Sequence, residues 1–399
     1  MADKRIFHVA TDEEIKSGEA TDIYFVRTKR ILEARGLVDV RVVAEVTPGE
    51  LPQRWPWAVL CGVEEVARLF EGVPVDVYSM PEGSVFRHTD YRGIREPVLF
   101  IEGPYGRFCV LETPMLGLLC QASGVATKAA RVKKAAGDCL VVAFGTRRMH
   151  PALAPMLDRA AYIGGLDAVS NIVGAKLIGK KPVGTMPHAL IIVMGDQVEA
   201  WRAFDEVIEP EVPRVALVDT YYDEKVEAVM AAEALGERLF AVRLDTPGSR
   251  RGDFAEIIRE VRWELNVRGH QHVKIFVSGG LDEYNIPELR AAGAEAFGVG
   301  TSISNAPVVD FAMDIVEVEG RPCAKRGKLG GKKQVWRCPE CLVDVVKPFG
   351  SEAPECPRCG GEMEAMLKPL IKDGRIVAEL PKPDEIRAYV LKQVEKLEL

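Results

Sequence analysis

The sequence has no run of about eighteen apolar residues, the length a bilayer-crossing helix needs. Its beginning, MADKRIFHVATDEEIKSGEA, has no apolar stretch of the kind that forms a signal-peptide core. The expectation is a cytoplasmic protein without a membrane partner. Excess positive charge is missing as well: 52 Lys and Arg face 59 Asp and Glu, for a formal net charge of −7. That argues against a broadly basic nucleic-acid footprint, whereas a local basic pocket for phosphates stays open. Asn and Gln are scarce beside Glu, Lys and Arg, a bias found in heat-stable proteins. An even cysteine framework is absent too. Of the nine cysteines, four follow a metal-binding pattern, and Cys61, Cys109, Cys120, Cys139 and Cys323 lie singly among apolar or small residues. Buried thiols in a reducing compartment account for these five better than disulfides do.

What is present suffices for more than one core. The 399 residues, 47% hydrophobic and 28% charged, suit two or three packed domains. Over residues 1–115, VDVRVVAEV, PVDVYSM, SVFRHTDY and EPVLFIEGPYGRF read as strands, and EEVARLFEG has helical spacing. This predicts an α+β layer domain. Residues 116–315 open on a long helix, LGLLCQASGVATKAARVKKAAG. They then repeat short apolar runs: CLVVAFG, AAYIGG, PVGTMPH, VALVDTYY, LFAVRLDT, VKIFVSGG and AEAFGVGT. Helical segments such as FAEIIREVRWELNVRG and NIPELRAAG separate several of them. Strands alternating with helices imply a parallel sheet with right-handed crossovers. About seven such units close or nearly close a (β/α) barrel; an open doubly wound sheet is the alternative. Over residues 316–399 the rhythm stops. A basic stretch, CAKRGKLGGKK, precedes the cysteine pairs, and PDEIRAYVLKQVEKLEL sets Ile386, Val390 and Val394 on one helical face.

The strongest local motif is RCPECLVDVVKPFGSEAPECPRCGGEM, which pairs Cys338 with Cys341 and Cys356 with Cys359 across a gap of 14 residues. Two residues between thiols let both sulfurs turn onto one ion, and two such knuckles complete a tetrahedral Zn²⁺ site. A redox pair is the competing reading, against which the repeated knuckle argues. With thiolates at every position, a zinc ribbon at about residues 336–364 would be structural.

The second signal is spread along the chain. Arg147 and Arg148 follow FGT, Asp167 follows YIGG, His188 follows GTMP, and Asp219 ends LVD. Arg243 and Asp245 lie in VRLDT, Gly279 and Gly280 close VSGG, and Gly298 and Gly300 lie in FGVGT. The C-terminal ends of parallel barrel strands converge on one mouth, where active sites are built. Any one of these residues also reads as a helix cap or loop group, and His188 as a core histidine bonded to its neighbours. His150, in RRMHP, competes with it but reads as a cap. Glycines after the last two strands let backbone amides meet an anion beside a helix N-terminus. FGVGTS lacks the third glycine and the acidic residue of a dinucleotide fingerprint, and GKLGGKK is no P-loop.

FGTRR, YIGGLDAVSN, GTMPHAL, LVDTYYD, VRLDT and FGVGTS follow the order found in nicotinate phosphoribosyltransferases. TDIY and QASGVATKAARV resemble that family and its relative, quinolinate phosphoribosyltransferase. The resemblance covers roughly residues 20–330, and the cysteine-rich tail is similar to the archaeal branch. It implies an α/β sandwich domain with an incomplete (β/α) barrel, in an obligate homodimer with shared active sites, higher oligomers being left open. The implied reaction joins nicotinate to phosphoribosyl pyrophosphate, giving nicotinate mononucleotide and pyrophosphate. Mg²⁺ and ATP take part, ATP through a phosphohistidine that falls on His188.

On that resemblance, Asp219 and Asp245 stabilise positive charge on the sugar, and Arg147 or Arg243 forks the nicotinate carboxylate. Phe144 stacks on the pyridine ring, with Tyr24 of a neighbouring subunit on the other face. The 5′-phosphate rests on amides around Gly279, Gly280, Gly298, Gly300 and Thr301, and Arg148 and Asp167 complete the binding set. Lys325 and Lys328 have two readings, pyrophosphate ligands or a solvated basic loop. Two departures touch base and ATP recognition: Ala189 replaces a frequent serine, and PGSRRGD follows RLDT where a compact SGD is usual.

Three alternatives stand beside this reading. A quinolinate phosphoribosyltransferase would need a more basic pocket and no phosphohistidine. A nicotinamide phosphoribosyltransferase would differ by a few pocket residues. A zinc-ribbon nucleic-acid-binding protein with a degenerate barrel is opposed by the acidity.

Overall fold

The computed structural model describes residues 5–399; the first four, which the expected layer domain includes, lie outside them. The chain forms two compact units, residues 1–127 with 306–399, and residues 128–305.

The first unit is built on a seven-stranded antiparallel sheet. Its order is Arg321–Pro322, Phe311–Val318, Arg41–Pro48, Leu99–Pro104, Asp76–Ser79, Lys368–Lys372 and Arg375–Ile376. Strands from both ends of the sequence are therefore interleaved in one layer. Arg41–Pro48 is buried at every position after Arg41, so both faces of this central strand are covered. Buried Glu45 within it is neutralised by Lys333, whose Nζ lies 2.8 Å from Oε2. SVFRHTDY yields only the short strand Val85–Phe86, paired with Ala58–Val59 in a separate ladder.

The helical stretch Tyr105–Ala136 is long and apolar enough to cross a bilayer, contrary to the reading from apolar runs, but 61% of its most apolar window is buried inside the protein. Met115 and Leu119 from this stretch join the first unit's core. The final helix, Pro383–Glu395, buries Ile386, Val390 and Val394 as its periodicity predicts.

A small sheet of Asp344–Pro348, Lys333–Arg337 and Glu364–Ala365 carries the cysteine knuckles. Its buried Arg337 forms a two-pronged bond to Asp344, 2.7 Å on each side, which compensates the desolvation of both charges. Of the five single cysteines, Cys61 and Cys109 are buried and Cys120 and Cys139 half-buried, but Cys323 is exposed. It sits beside the charged, glycine-rich run AKRGKLGGKK, which has little apolar surface to bury.

The second unit is a parallel sheet of six strands: Ala168–Val169, Leu140–Ala143, Ala296–Val299, Lys274–Ser278, Leu239–Leu244 and Arg214–Leu217. Among the described residues no ladder joins the first to the last, so the barrel stays incomplete. Helices follow the expected pattern. Phe254–Val267 buries Phe254, Ile258, Val261 and Leu265, one face of a 3.6-residue repeat. Asp253 caps that helix through the amides of Ala255 and Glu256.

Two expected strands are absent. AAYI ends the helix Ala154–Ile163, where its two alanines favour helix over strand. PVGTMP runs as an extended loop, because Pro182 and Pro187 have no N–H to give a ladder.

Candidate active site

A cavity of ≈ 320 Å³ opens at the C-terminal ends of the barrel strands, with Phe144, Arg147, His188, Arg243 and Asp245 among its walls. Arg243 projects from the strand Leu239–Leu244. Its Nε donates to Ser278 Oγ at 2.9 Å, Nη1 to Thr185 Oγ1 at 2.9 Å, and Nη2 to Asp245 Oδ2 at 3.0 Å. The guanidinium lies 5.3 Å from the centroid of the Phe144 ring. A guanidinium has five N–H donors, so one remains on each terminal nitrogen. That is the fork a planar carboxylate matches.

Two carboxylates are fixed beside it. Asp245 accepts from Ser278 Oγ at 2.8 Å as well as from Arg243. Asp219 Oδ2 accepts the Asp245 amide at 2.9 Å and the Thr246 hydroxyl at 3.0 Å. Its Oδ1 is buried without a hydrogen-bond partner and lies 3.7 Å from His188 Nε2. Burial holds the Asp219 carboxyl above its usual range, with the His188 charge and the Thr246 and Asp245 donors pulling it back.

His188 does not end a strand. It opens the helix His188–Met194, with Pro187 at the cap. Its Nδ1 is 3.1 Å from Thr220 Oγ1, and its Nε2 is 3.9 Å from Asp245 Oδ2. The ring thus stands between a hydroxyl and two carboxylates.

The glycines divide into two groups. Gly279 and Gly280 have φ of +95° and +70°, a turn that L side chains resist, and lie just past the strand Lys274–Ser278. Gly298 lies inside the strand Ala296–Val299, and a Cβ there would come 2.5 Å from the Phe144 ring. Its role is to make room for Phe144, which is a packing role and needs no phosphate. Gly300 caps the four-residue helix that begins with Thr301.

Arg147 lines the cavity, while Arg148, beside it in the turn Thr146–Arg148, is exposed and outside the lining. Asp167 stands apart: it precedes the strand Ala168–Val169, accepts the Val141 amide at 2.8 Å and pairs with Lys133 at 2.8 Å. Both contacts lie at the N-terminal end of the strands, opposite the mouth, because the preceding YIGG closes a helix. Tyr24, Lys325 and Lys328 belong to the first unit. Tyr24 is 56% exposed on the helix Ile23–Ala34, and Lys325 and Lys328 both pair with buried Asp314.

Sequence reading did not single out Ser278, Thr185, Thr220 and Thr246, whose hydroxyls orient the charged groups. Nor did it find Glu227, wholly buried, whose carboxylate accepts three consecutive amides: Thr220 at 3.1 Å, Tyr221 at 2.7 Å and Tyr222 at 2.9 Å. A carboxylate one helical turn past the Asp223 cap is the signal that pointed there.

The four expected ligand cysteines converge in the first unit. Their sulfurs all lie within 4.8 Å of one another, a group that could hold a metal ion. Cys338–Cys359 and Cys341–Cys356 separations are 3.5 and 3.4 Å. A tetrahedron of ~2.3 Å zinc–sulfur bonds requires roughly 3.8 Å between sulfurs, so the donor set fits with little adjustment.

Residues 22–123 and 125–314 match the family descriptions "Quinolinate phosphoribosyl transferase, N-terminal domain" and "C-terminal domain". A nicotinate phosphoribosyltransferase of Mycobacterium tuberculosis is 32% identical over 354 residues, covering 84% of this chain and 72% of that protein. Another from that organism is 30% identical over 295 residues, covering 71% of this chain; the chain spans 65% of that relative's length. The crystal structure of nicotinate-nucleotide pyrophosphorylase from Pyrococcus furiosus shares 59% identity and a TM-score of 0.95, over 99% of this chain and 100% of that one. With these M. tuberculosis relatives in agreement, the chain belongs to the nicotinate phosphoribosyltransferase family.

Proposed function

We propose that the protein is a cytoplasmic nicotinate phosphoribosyltransferase. It makes nicotinate mononucleotide and pyrophosphate from nicotinate and phosphoribosyl pyrophosphate, with ATP hydrolysis coupled through His188. One observation carries this reading: Arg243, Phe144, His188 and Asp245 share one cavity, each with bonding capacity left for a ligand.

Arg243 is the better fork for the nicotinate carboxylate. Three hydroxyl and carboxylate contacts pre-orient it, whereas Arg147 is exposed. Phe144 presents a ring to the pyridine, and the exposed ring of Tyr24 is available to a neighbouring subunit in a dimer. The pyridine nitrogen attacks the anomeric carbon as the bond to pyrophosphate breaks. Asp245 and Asp219 stabilise the positive charge that develops on the sugar. The 5′-phosphate rests near Gly279, Gly280, Gly300 and Thr301.

Mg²⁺ would enter with phosphoribosyl pyrophosphate as part of the substrate, held through phosphate oxygens. His188 accepts the γ-phosphoryl group of ATP with release of ADP, and water later removes it as inorganic phosphate. The four-cysteine site holds Zn²⁺ in a structural role.

Turnover of purified protein with nicotinate and phosphoribosyl pyrophosphate, with and without ATP, tests the reading. ATP-stimulated formation of nicotinate mononucleotide is the expected result. Product from quinolinate with release of carbon dioxide and no ATP effect would overturn it. Nicotinamide as the preferred base would move the specificity but keep the chemistry.

A further inference from the structure

We infer that Glu227 and Thr220 form a positioning device for His188, and this rests on the reading of His188 as the ATP-coupled group. The loop after the strand Arg214–Leu217 would be free to vary, since it has no ladder of its own past Val218. The wholly buried carboxylate of Glu227 clamps its amides at Thr220, Tyr221 and Tyr222. Three amides on one carboxylate are charge-assisted bonds in a water-poor setting, which makes them strong and directional. Glu227 lies on the helix Glu224–Leu235, anchored in turn by the Asp223 cap, so the clamp is fixed to a rigid element.

The consequence reaches the ring. Thr220 is placed with its hydroxyl 3.1 Å from His188 Nδ1. The same loop begins at Asp219, whose bare Oδ1 faces Nε2 at 3.7 Å. Hydroxyl and carboxylate therefore hold opposite sides of the imidazole, and one buried glutamate sets the spacing between them. Neither Thr220 nor Glu227 lines the cavity. A clamp of this kind affects the step that uses the ring and leaves substrate affinity alone.

Thr220→Val, Thr220→Ser and Glu227→Gln, measured beside His188→Ala, test this. The readouts are acid-labile phosphoenzyme formed with ATP alone, and kcat and KM with ATP present. For Thr220→Val the expected result is phosphoenzyme formation slowed about tenfold, the effect of losing one well-placed hydrogen bond. KM for nicotinate and phosphoribosyl pyrophosphate should stay within about twofold, and Thr220→Ser should restore the parent rate. Glu227→Gln should give the same split. Should that variant fail to fold, the valine and serine pair alone decides. A parent-like phosphoenzyme rate in Thr220→Val overturns the device while leaving His188 in its role. Phosphoenzyme in His188→Ala equal to the parent removes the underlying reading instead.

Discussion

The barrel mouth and the cysteine ribbon are both clusters of ligating side chains, yet they differ in what they leave unused. In the ribbon every sulfur faces the other three, and the cysteines come from Cys338 to Cys359 along one stretch. In the mouth, groups arrive from strand ends as far apart as Phe144 and Gly300. They keep two N–H donors on Arg243, a bare oxygen on Asp219 and a cavity between them. A closed set of donors holds structure together, whereas an open set has capacity left for substrate. That contrast separates the two roles without reference to the residue types involved.

The most severe way to break the contrast is His188→Ala. If the mouth's open capacity serves phosphoryl transfer, phosphoenzyme and ATP stimulation disappear completely while circular dichroism stays as in the parent. Retained ATP stimulation would mean that the ring is merely packed. Next comes Arg243→Lys, which keeps the charge and loses the planar fork. KM for nicotinate should rise roughly ten- to a hundredfold, with a smaller change for phosphoribosyl pyrophosphate. An equal rise in both constants would show that the arginine supports the site generally and does not read the base.

The ribbon is tested from the other side. Cys356→Ser should abolish binding of one zinc per chain and lower the melting temperature, because Val343, Val345 and Met363 pack around the cysteines. Turnover per folded molecule should stay within about twofold, since a closed thiolate site offers no open coordination position. Folded, zinc-free protein without any chemistry would contradict the division of roles.

These two regions were not equally legible in the sequence. The ribbon is local: two CxxC knuckles announce the ligands by spacing alone, and the structure brings all four together. The mouth was legible where a charged residue lies at the C-terminal end of a true strand, as with Arg243, Asp245 and Asp219. It failed where the strand was not one. YIGG closes a helix, so Asp167 falls at the far end of the sheet, and PVGTMP is a proline-bound loop, so His188 opens a helix. FGVGTS mixed two functions that spacing cannot separate, Gly298 yielding space to Phe144 and Gly300 capping a turn. Hydroxyls such as Ser278 and Thr185 stayed hidden, because a serine or threonine has an equally good account as a cap or surface group. Only the guanidinium they orient gives them meaning.

A buried acid outside both clusters sharpens the comparison with the smallest expected effect. Asp158, on the helix Ala154–Ile163, is 1% exposed and accepts the Asn171 amide at 3.2 Å, but it does not line the cavity. Burial raises its carboxyl to about 7 from an ordinary 3.8, with the Asn171 donor opposing. An acid raised on folding holds its proton more tightly in the native state. Its contribution is therefore fully present below the unfolded value and is lost as pH rises through the folded one. Asp158→Asn removes that titration. Melting temperatures of variant and parent should lie close together at about pH 4 and diverge in the variant's favour towards pH 8, while kcat is preserved. A gap that is flat with pH would mean that Asp158 is charged in the folded barrel. Loss of kcat at an unchanged melting temperature would instead draw this acid into the mouth, and the line between open and closed clusters would have to move.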